Sequence, residues 1–461
     1  MGDSSLPEAD SRPIDSADSE APARPRRSLV RTLAAAAPVD RRRFLQAAAG
    51  GVGIGAGGLL STAALARTAV PGPGELAVQA PGASRIVREF DDPYLELLRL
   101  LREASEIEHA LMLQYLYAAF SVRPKYRALR GEGNPNSTDL LGIAVQEMKH
   151  LGAVNRMLVA LGAAPNLMPQ DFPYEPDIYP FEFTLEPLSR HSLAKYIYTE
   201  APVNAFADFR PPQIGMEIEK ALGRSVRPNH VGSLYDSVLK ALSDLQAESR
   251  KQPLPRDFDF TYWKGALAKI KTEGEADHFG FFRNVFAGNH VAFGTRTNLW
   301  SLPMSDPDYP AMTLPHNPSA FLGDPNQIPD ARALQLAWLG NVHYWTMLTL
   351  LTHGYRFESP AFIQLAEQHM QGPILSLAVA LAQRGAGMPF EQMSMGYAPA
   401  LDEQQSVYFI LRLLGEAKTL EADLKGGLPT DYPVSVTAAS ADELAQLWAA
   451  TQKVQSYRRR D

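Results

Sequence analysis

From about residue 90 onward, apolar positions recur at steps of three and four, the period of helices that bury one face. The first such stretch covers 94–120, contains no Pro or Gly, and has Pro93 just ahead of it, where proline suits a helix start. The second covers about 138–162, with Ser137 or Thr138 as candidate caps and Gly162 as a candidate stop. Shorter helices are expected at 191–200, 213–223 and 230–249, and a long one at 262–287. Helical patterns return near 331–353, 360–384, 403–425 and 441–457. Residues 164–190 carry six prolines among aromatics, which suits a wrapping loop or edge strands. The expectation is an all-α chain: a helical bundle at 88–290, a Pro-, Asn- and Asp-rich linker at 291–330, and a second helical region at 331–457.

The first 66 residues follow a different pattern. Residues 1–40 are rich in Ser, Asp, Pro, Ala and Arg, with no hydrophobic period, and are expected to be disordered. Then come Asp40-Arg41-Arg42-Arg43-Phe44-Leu45-Gln46, an Ala/Gly-rich stretch from Ala47 to Leu65, and a small-residue cleavage site at Ala64-Leu65-Ala66. Six glycines in that stretch weaken a helix, so it is a poor membrane span. The paired arginines resemble a twin-arginine export signal. The expectation is a chain delivered folded by the twin-arginine translocation machinery, periplasmic or otherwise exported, and soluble after signal removal near Arg67.

Composition narrows the chemistry. With no cysteine, thiolate metal sites, cysteine nucleophiles and disulfides are all excluded, so any metal must be held by His, carboxylate, carbonyl or water. A net charge of -7 argues against a general nucleic-acid binder, which needs clustered Lys and Arg.

The buried stripes carry the main signal. On the first helix the walk is Leu97, Leu101, Ala104, Glu108, Leu111, Tyr115; on the second it is Leu140, Ile143, Glu147, His150, Val154, Met157, Leu161. On the long later helix it is Ala268, Lys271, Glu275, His278, Phe282, Val285. An unpaired buried carboxylate costs many kcal/mol, so inward glutamates pair, protonate or bind metal. The i, i+3 spacing of Glu147–His150 and Glu275–His278 puts each pair on one face. A third Glu-x-x-His, Glu106–His109, lies off its stripe and reads as a solvated pair. The remaining carboxylate is Glu200, following Leu193 and Ile197, with Glu217 as the competitor. A lone Glu on each of two helices and a Glu-x-x-His on each of two others is the ligand set of di-iron and di-manganese carboxylate bundles. The candidate metal ligands are Glu108, Glu147, His150, Glu200, Glu275 and His278, and two divalent cations would balance the four carboxylates. Tyr115, two turns beyond Glu108, is a candidate hydrogen-bond donor beside them.

Glu108-His-Ala-Leu-Met-Leu-Gln-Tyr-Leu-Tyr, Gln146-Glu147-Met148-Lys149-His150-Leu151, and Leu161-Gly162-Ala-Ala-Pro165 resemble the ferritin-like domain of iminophenylpyruvate dimer synthase. Tyr198-Thr199-Glu200-Ala201-Pro202 and Glu273-Gly274-Glu275 near His278 look like family elements too. The resemblance implies a ferritin-like four-helix bundle with a metal centre. One departure stands out: at Val231-Gly232-Ser233-Leu234-Tyr235 a serine replaces the expected carboxylate.

In the second region, His343, His353 and His369 are isolated along the sequence; His343 reads as a satisfied core residue, and Tyr344, Trp345, Tyr355 and Phe357 read as packing. The functional expectation is an oxidoreductase with two iron ions (or iron and manganese) acting with dioxygen or peroxide on a small molecule of unknown identity. The alternative is a non-catalytic helical protein that binds metal or a partner.

Overall fold

The computed structural model describes residue 86 and residues 88–131, 135–168, 183–202, 231–249, 257–392 and 402–458. It also describes the single positions 181, 205, 216, 217, 220, 254 and 255. The export signal expected within 1–66 lies outside the described residues, as does most of the helix expected at 213–223. Residues 76–461 belong to one compact unit.

Helix α1, Pro93–Ser121, begins where Asp92 accepts hydrogen bonds from the Tyr94 and Leu95 amides, with Pro93 at the first helical position. From Ile107 to Ser121 it is buried on every face, so its C-terminal half is the central rod of the bundle. Helix α2, Leu140–Ala160, is capped by Asp139, which accepts from the Gly142 amide; neither Ser137 nor Thr138 does this. Asp139 wins because a cap must accept from the amide two or three positions ahead. The expected stop holds: Gly162 has φ 83°, its amide bonds the Val159 carbonyl, and the Ala163 amide bonds Leu158.

Helix α3, Arg190–Glu200, opens with a reciprocal Ser189–Ser192 capping box. It ends at Glu200, before Ala201 is drawn into extended backbone ahead of Pro202. Helix α4 is Val231–Ala247 and helix α5 is Phe260–Glu273. A π turn, Gly274–His278, joins α5 to α6, Phe279–Phe286. Helix α1 packs along α2 and α4, α4 packs on α5, and α6 lies on α3. Tyr115, Tyr196 and Phe282 meet at this last junction, with ring centroids 4.7–5.1 Å apart. Such pairs add about 0.5–1.5 kcal/mol each beyond burial.

The π turn shifts the helical phase. The buried residues of α5 are Trp263, Leu267 and Ile270, whereas Ala268 is exposed. Walking back from His278 with a regular period lands on Lys271 and Ala268, one residue out. The extra residue of a π turn accounts for that offset.

Residues 291–330, expected as a connection, run over the bundle in short turns. The Met312 amide donates to the Ser121 carbonyl, the Arg123 amide to Pro310, and Trp300 Nε1 to Val285. Among the described residues five helices follow: α7, Ala331–Arg356; α8, Pro360–His369; α9, Leu375–Gln383; α10, Glu403–Asp423; and α11, Ser435–Arg458. A second π turn, Met370–Ile374, separates α8 from α9. Among the described residues β structure is limited to two isolated bridges, and no helix is long and apolar enough to cross a membrane.

Glu106–His109 differs from expectation. His109 is fully buried, and its Nε2 accepts from the Tyr344 hydroxyl of α7 at 2.7 Å. Burial pushes this imidazole down to about 3, so the ring is neutral and can accept. Glu106 instead accepts from Asn166 Nδ2 at 3.0 Å. The flank of α1 that carries His109 therefore meets α7 and not water.

Candidate metal centre

Glu108 sits mid-way along α1, where the all-round packing of the helix leaves it 2 % exposed. Glu147 and His150 face it from α2, again almost wholly buried. Glu200 comes from the last turn of α3, and His278 from the end of the π turn. The structure thus brings together five of the six residues expected as ligands.

Glu147 is the shared member. Its Oε2 lies 3.1 Å from His150 Nδ1, and its Oε1 lies 2.9 Å from His278 Nδ1. Glu108 Oε2 is 3.5 Å from His150 Nδ1, and Glu200 Oε1 is 3.6 Å from His278 Nδ1. Two groups result, Glu108–Glu147–His150 and Glu147–Glu200–His278, each with one ligand atom per residue all within 4.8 Å. The two imidazoles stack at 5.6 Å between centroids. A cavity of about 10 Å³ lies among these side chains, room for about one water-sized molecule.

Glu275 is placed differently. It lines the same cavity, but its side chain is one quarter exposed and its Oε1 is 3.8 Å from Lys271 Nζ, so it joins neither group. The π turn is the reason: its wider winding separates Glu275 from His278 around the axis more than an α-turn would. Glu217, half-buried, also belongs to neither group among the described residues.

The electrostatics follow from packing acids and imidazoles in a water-poor space. Burial pushes Glu108 up to about 8, helped by the charge of Glu147. Burial acts on Glu147 in the same sense, but the charge of His278 and hydrogen bonds with Glu108 and His150 hold it well below the carboxylate range. Burial opposes charge on both imidazoles. Even so, the carboxylates of Glu147 and Glu200 lift His278 to about 10, and hydrogen bonds to Glu108, Glu147 and Glu273 lift His150 well above its usual value. Protons therefore supply the positive charge that the carboxylates require.

His278 provides the test of whether ions fit. It is fully buried, yet neither ring nitrogen makes a hydrogen bond: Glu147 Oε1 is near Nδ1 but off the direction of an N–H. Buried polar atoms are rarely left so. An imidazole nitrogen beside two carboxylates, with no sulfur present, is a donor set suited to iron, manganese or zinc.

Three further residues complete the surroundings. The Tyr115 hydroxyl donates to Glu200 Oε1 at 2.5 Å, the role expected for a donor beside the ligands. The Tyr235 hydroxyl of α4 donates to Glu108 Oε1, and Glu273 Oε2 lies 2.9 Å from His150 Nε2. Sequence reasoning missed these last two. Tyr235 sits one turn past Val231 on the buried stripe of α4, and Glu273 three past Ile270 on that of α5, so correct phases would have exposed both. Ser233, the departure noted above, is itself buried two residues before Tyr235 on α4.

Residues 101–276 match the ferritin-like family. The chain is 37% identical over 322 residues to dichlorochromopyrrolate synthase of Lentzea aerocolonigenes, covering 56% of this chain and 31% of that protein. It is 33% identical over 162 residues to 2-imino-3-(indol-3-yl)propanoate dimerase of Chromobacterium violaceum, covering 28% of this chain and 15% of that protein. The chain thus spans less than a third of the length of either relative. No solved structure matches the chain at a significant level. The fold is all-α and ferritin-like, and the carboxylate and histidine groups described above lie in or beside its matched segment.

Proposed function

We propose that the chain is a di-metal carboxylate oxidoreductase that uses dioxygen or peroxide on a small organic substrate. The observation that carries this reading is the division of Glu147 between the two groups, one oxygen to each, beside a buried His278 with no hydrogen bond. Two relatives named as a synthase and a dimerase of small molecules support an enzymatic role.

Glu108, Glu147 and His150 would hold one ion, and Glu147, Glu200 and His278 the other. Two iron ions, or iron with manganese, supply one-electron redox chemistry toward dioxygen or peroxide when bound. The chain's own side chains do the rest. Tyr235 and Tyr115 hold Glu108 and Glu200 in place through their hydroxyls. Burial, then the neighbouring carboxylates, raises both phenols well above their usual range, so each keeps its proton and remains a donor. The five converging side chains are almost wholly buried, which strengthens the charge interactions among them. On the same reading, residues 1–66 act as a twin-arginine signal, and export of a folded chain suits a centre filled before transport.

Elemental analysis of the purified chain tests the proposal. About two equivalents of iron or manganese are expected, with both lost in Glu147→Ala, and the iron form should consume dioxygen or peroxide. A chain that takes up no metal, and whose stability is unchanged in Glu147→Ala, would be the non-catalytic scaffold instead.

A further inference from the structure

Glu273 is the last residue of α5 and stands outside both groups of converging ligand atoms. Its Oε2 lies 2.9 Å from His150 Nε2, while its Oε1 is 3.5 Å from Lys269 Nζ at the surface. Its side chain is one quarter exposed, so it backs the ring from the outer side. The other nitrogen of the same ring, Nδ1, faces Glu147 Oε2 and Glu108 Oε2. An imidazole that donates Nε2–H to a carboxylate is fixed in orientation, with its Nδ1 aimed at the opposite side.

His278 has no such support. Both its nitrogens lack hydrogen bonds although it is fully buried. The two halves therefore differ in preparation: one imidazole is braced from behind, the other is not. A group already held in its binding orientation loses less freedom when it binds, and this favours the braced half.

We propose that Glu273 is the positioning residue of His150, and that it makes the Glu108–Glu147–His150 half take up the first ion, with the Glu147–Glu200–His278 half filling second. The inference rests on the di-metal reading above. It goes further by assigning a residue that is not a ligand and an order of loading.

The test is an anaerobic titration of the ion-free full-length chain with Co(II), followed by visible absorption and calorimetry. The wild-type chain should show two steps of unequal affinity. Glu273→Ala should weaken the first step by about 10- to 100-fold and leave the second close to its wild-type value. Glu273→Gln, which still offers an oxygen to Nε2–H, should recover part of the loss, and Lys269→Ala should leave both steps unchanged. Circular dichroism establishes that each variant is folded. Two equal steps in the wild-type chain overturn the proposal, as does a folded Glu273→Ala with an unchanged first step. Absence of cobalt uptake by the wild-type chain is a separate outcome that overturns the di-metal reading itself, and this inference with it.

Discussion

The Tyr235 hydroxyl on α4 donates to Glu108 Oε1 on α1, tying two helices together through a carboxylate that is 2 % exposed. Removing that donor leaves a buried oxygen with one partner fewer. Tyr235→Phe should destabilise the ion-free chain by about 1–3 kcal/mol, read from urea unfolding. The loss should shrink when ions are bound, because an ion then satisfies Glu108.

Gly274 has no side chain where the π turn passes Glu200. A Cβ built there would stand 2.9 Å from Glu200 Oε2, closer than packed atoms tolerate. Glu200 cannot yield freely, since Tyr115 holds its other oxygen. Gly274→Ala should therefore cost about 1–3 kcal/mol by overpacking. In a metal titration it should weaken the second binding step more than the first.

Ion uptake should release protons. Near neutral pH the ion-free centre holds protons on Glu108, pushed up to about 8, on His278, at about 10, and on His150, raised well above its usual value. Each group must give up a proton before the atom facing the cavity can act as a ligand. The sign follows: affinity rises with pH up to about 8 and continues upward more gently toward about 10, once Glu108 no longer has a proton to lose. The three sites interact, so the release belongs to the cluster as a whole. Calorimetry in buffers of different ionisation enthalpy counts the protons released per ion. A count of zero would contradict the expected exchange of protons for metal.

Tyr344→Phe should act at a distance from the centre. It removes the donor to His109 Nε2, which joins α7 to α1 at a fully buried point. The expected loss is about 1–3 kcal/mol for the unpaired nitrogen, with metal stoichiometry unchanged. Thermal unfolding alongside elemental analysis checks both halves of this expectation.

Much of the centre was legible in the sequence because α1, α2 and α3 wind regularly. Constant period lets a count in threes and fours place Glu108, Glu147, His150 and Glu200 on inward faces. His278 was legible from the apolar stripe it shares with Phe282 and Val285 downstream. Glu275 and the upstream stripe were not, because the π turn inserts a residue that no local pattern announces. Pairings across long separations were equally hidden. His343 and His369 look isolated along the chain, yet their Nδ1 atoms lie 3.1 Å apart, and His343 Nε2 also meets the Tyr432 hydroxyl at 2.6 Å. His109 and Tyr344 are 235 positions apart, and only the docking of α7 and α9 on the bundle brings them together.

The wide turn at Gly274–His278 ties the centre to packing that lies beyond it. If this turn tightened to ordinary winding, everything after it would rotate by about 100° relative to α5. Phe282 and Val285, both fully buried, would then swing out of the core. The grip of α6 on its neighbours acts as a torsional lock. A cavity carved at Phe282 would let the wide turn tighten by one register and carry the imidazole of His278 away from its carboxylates.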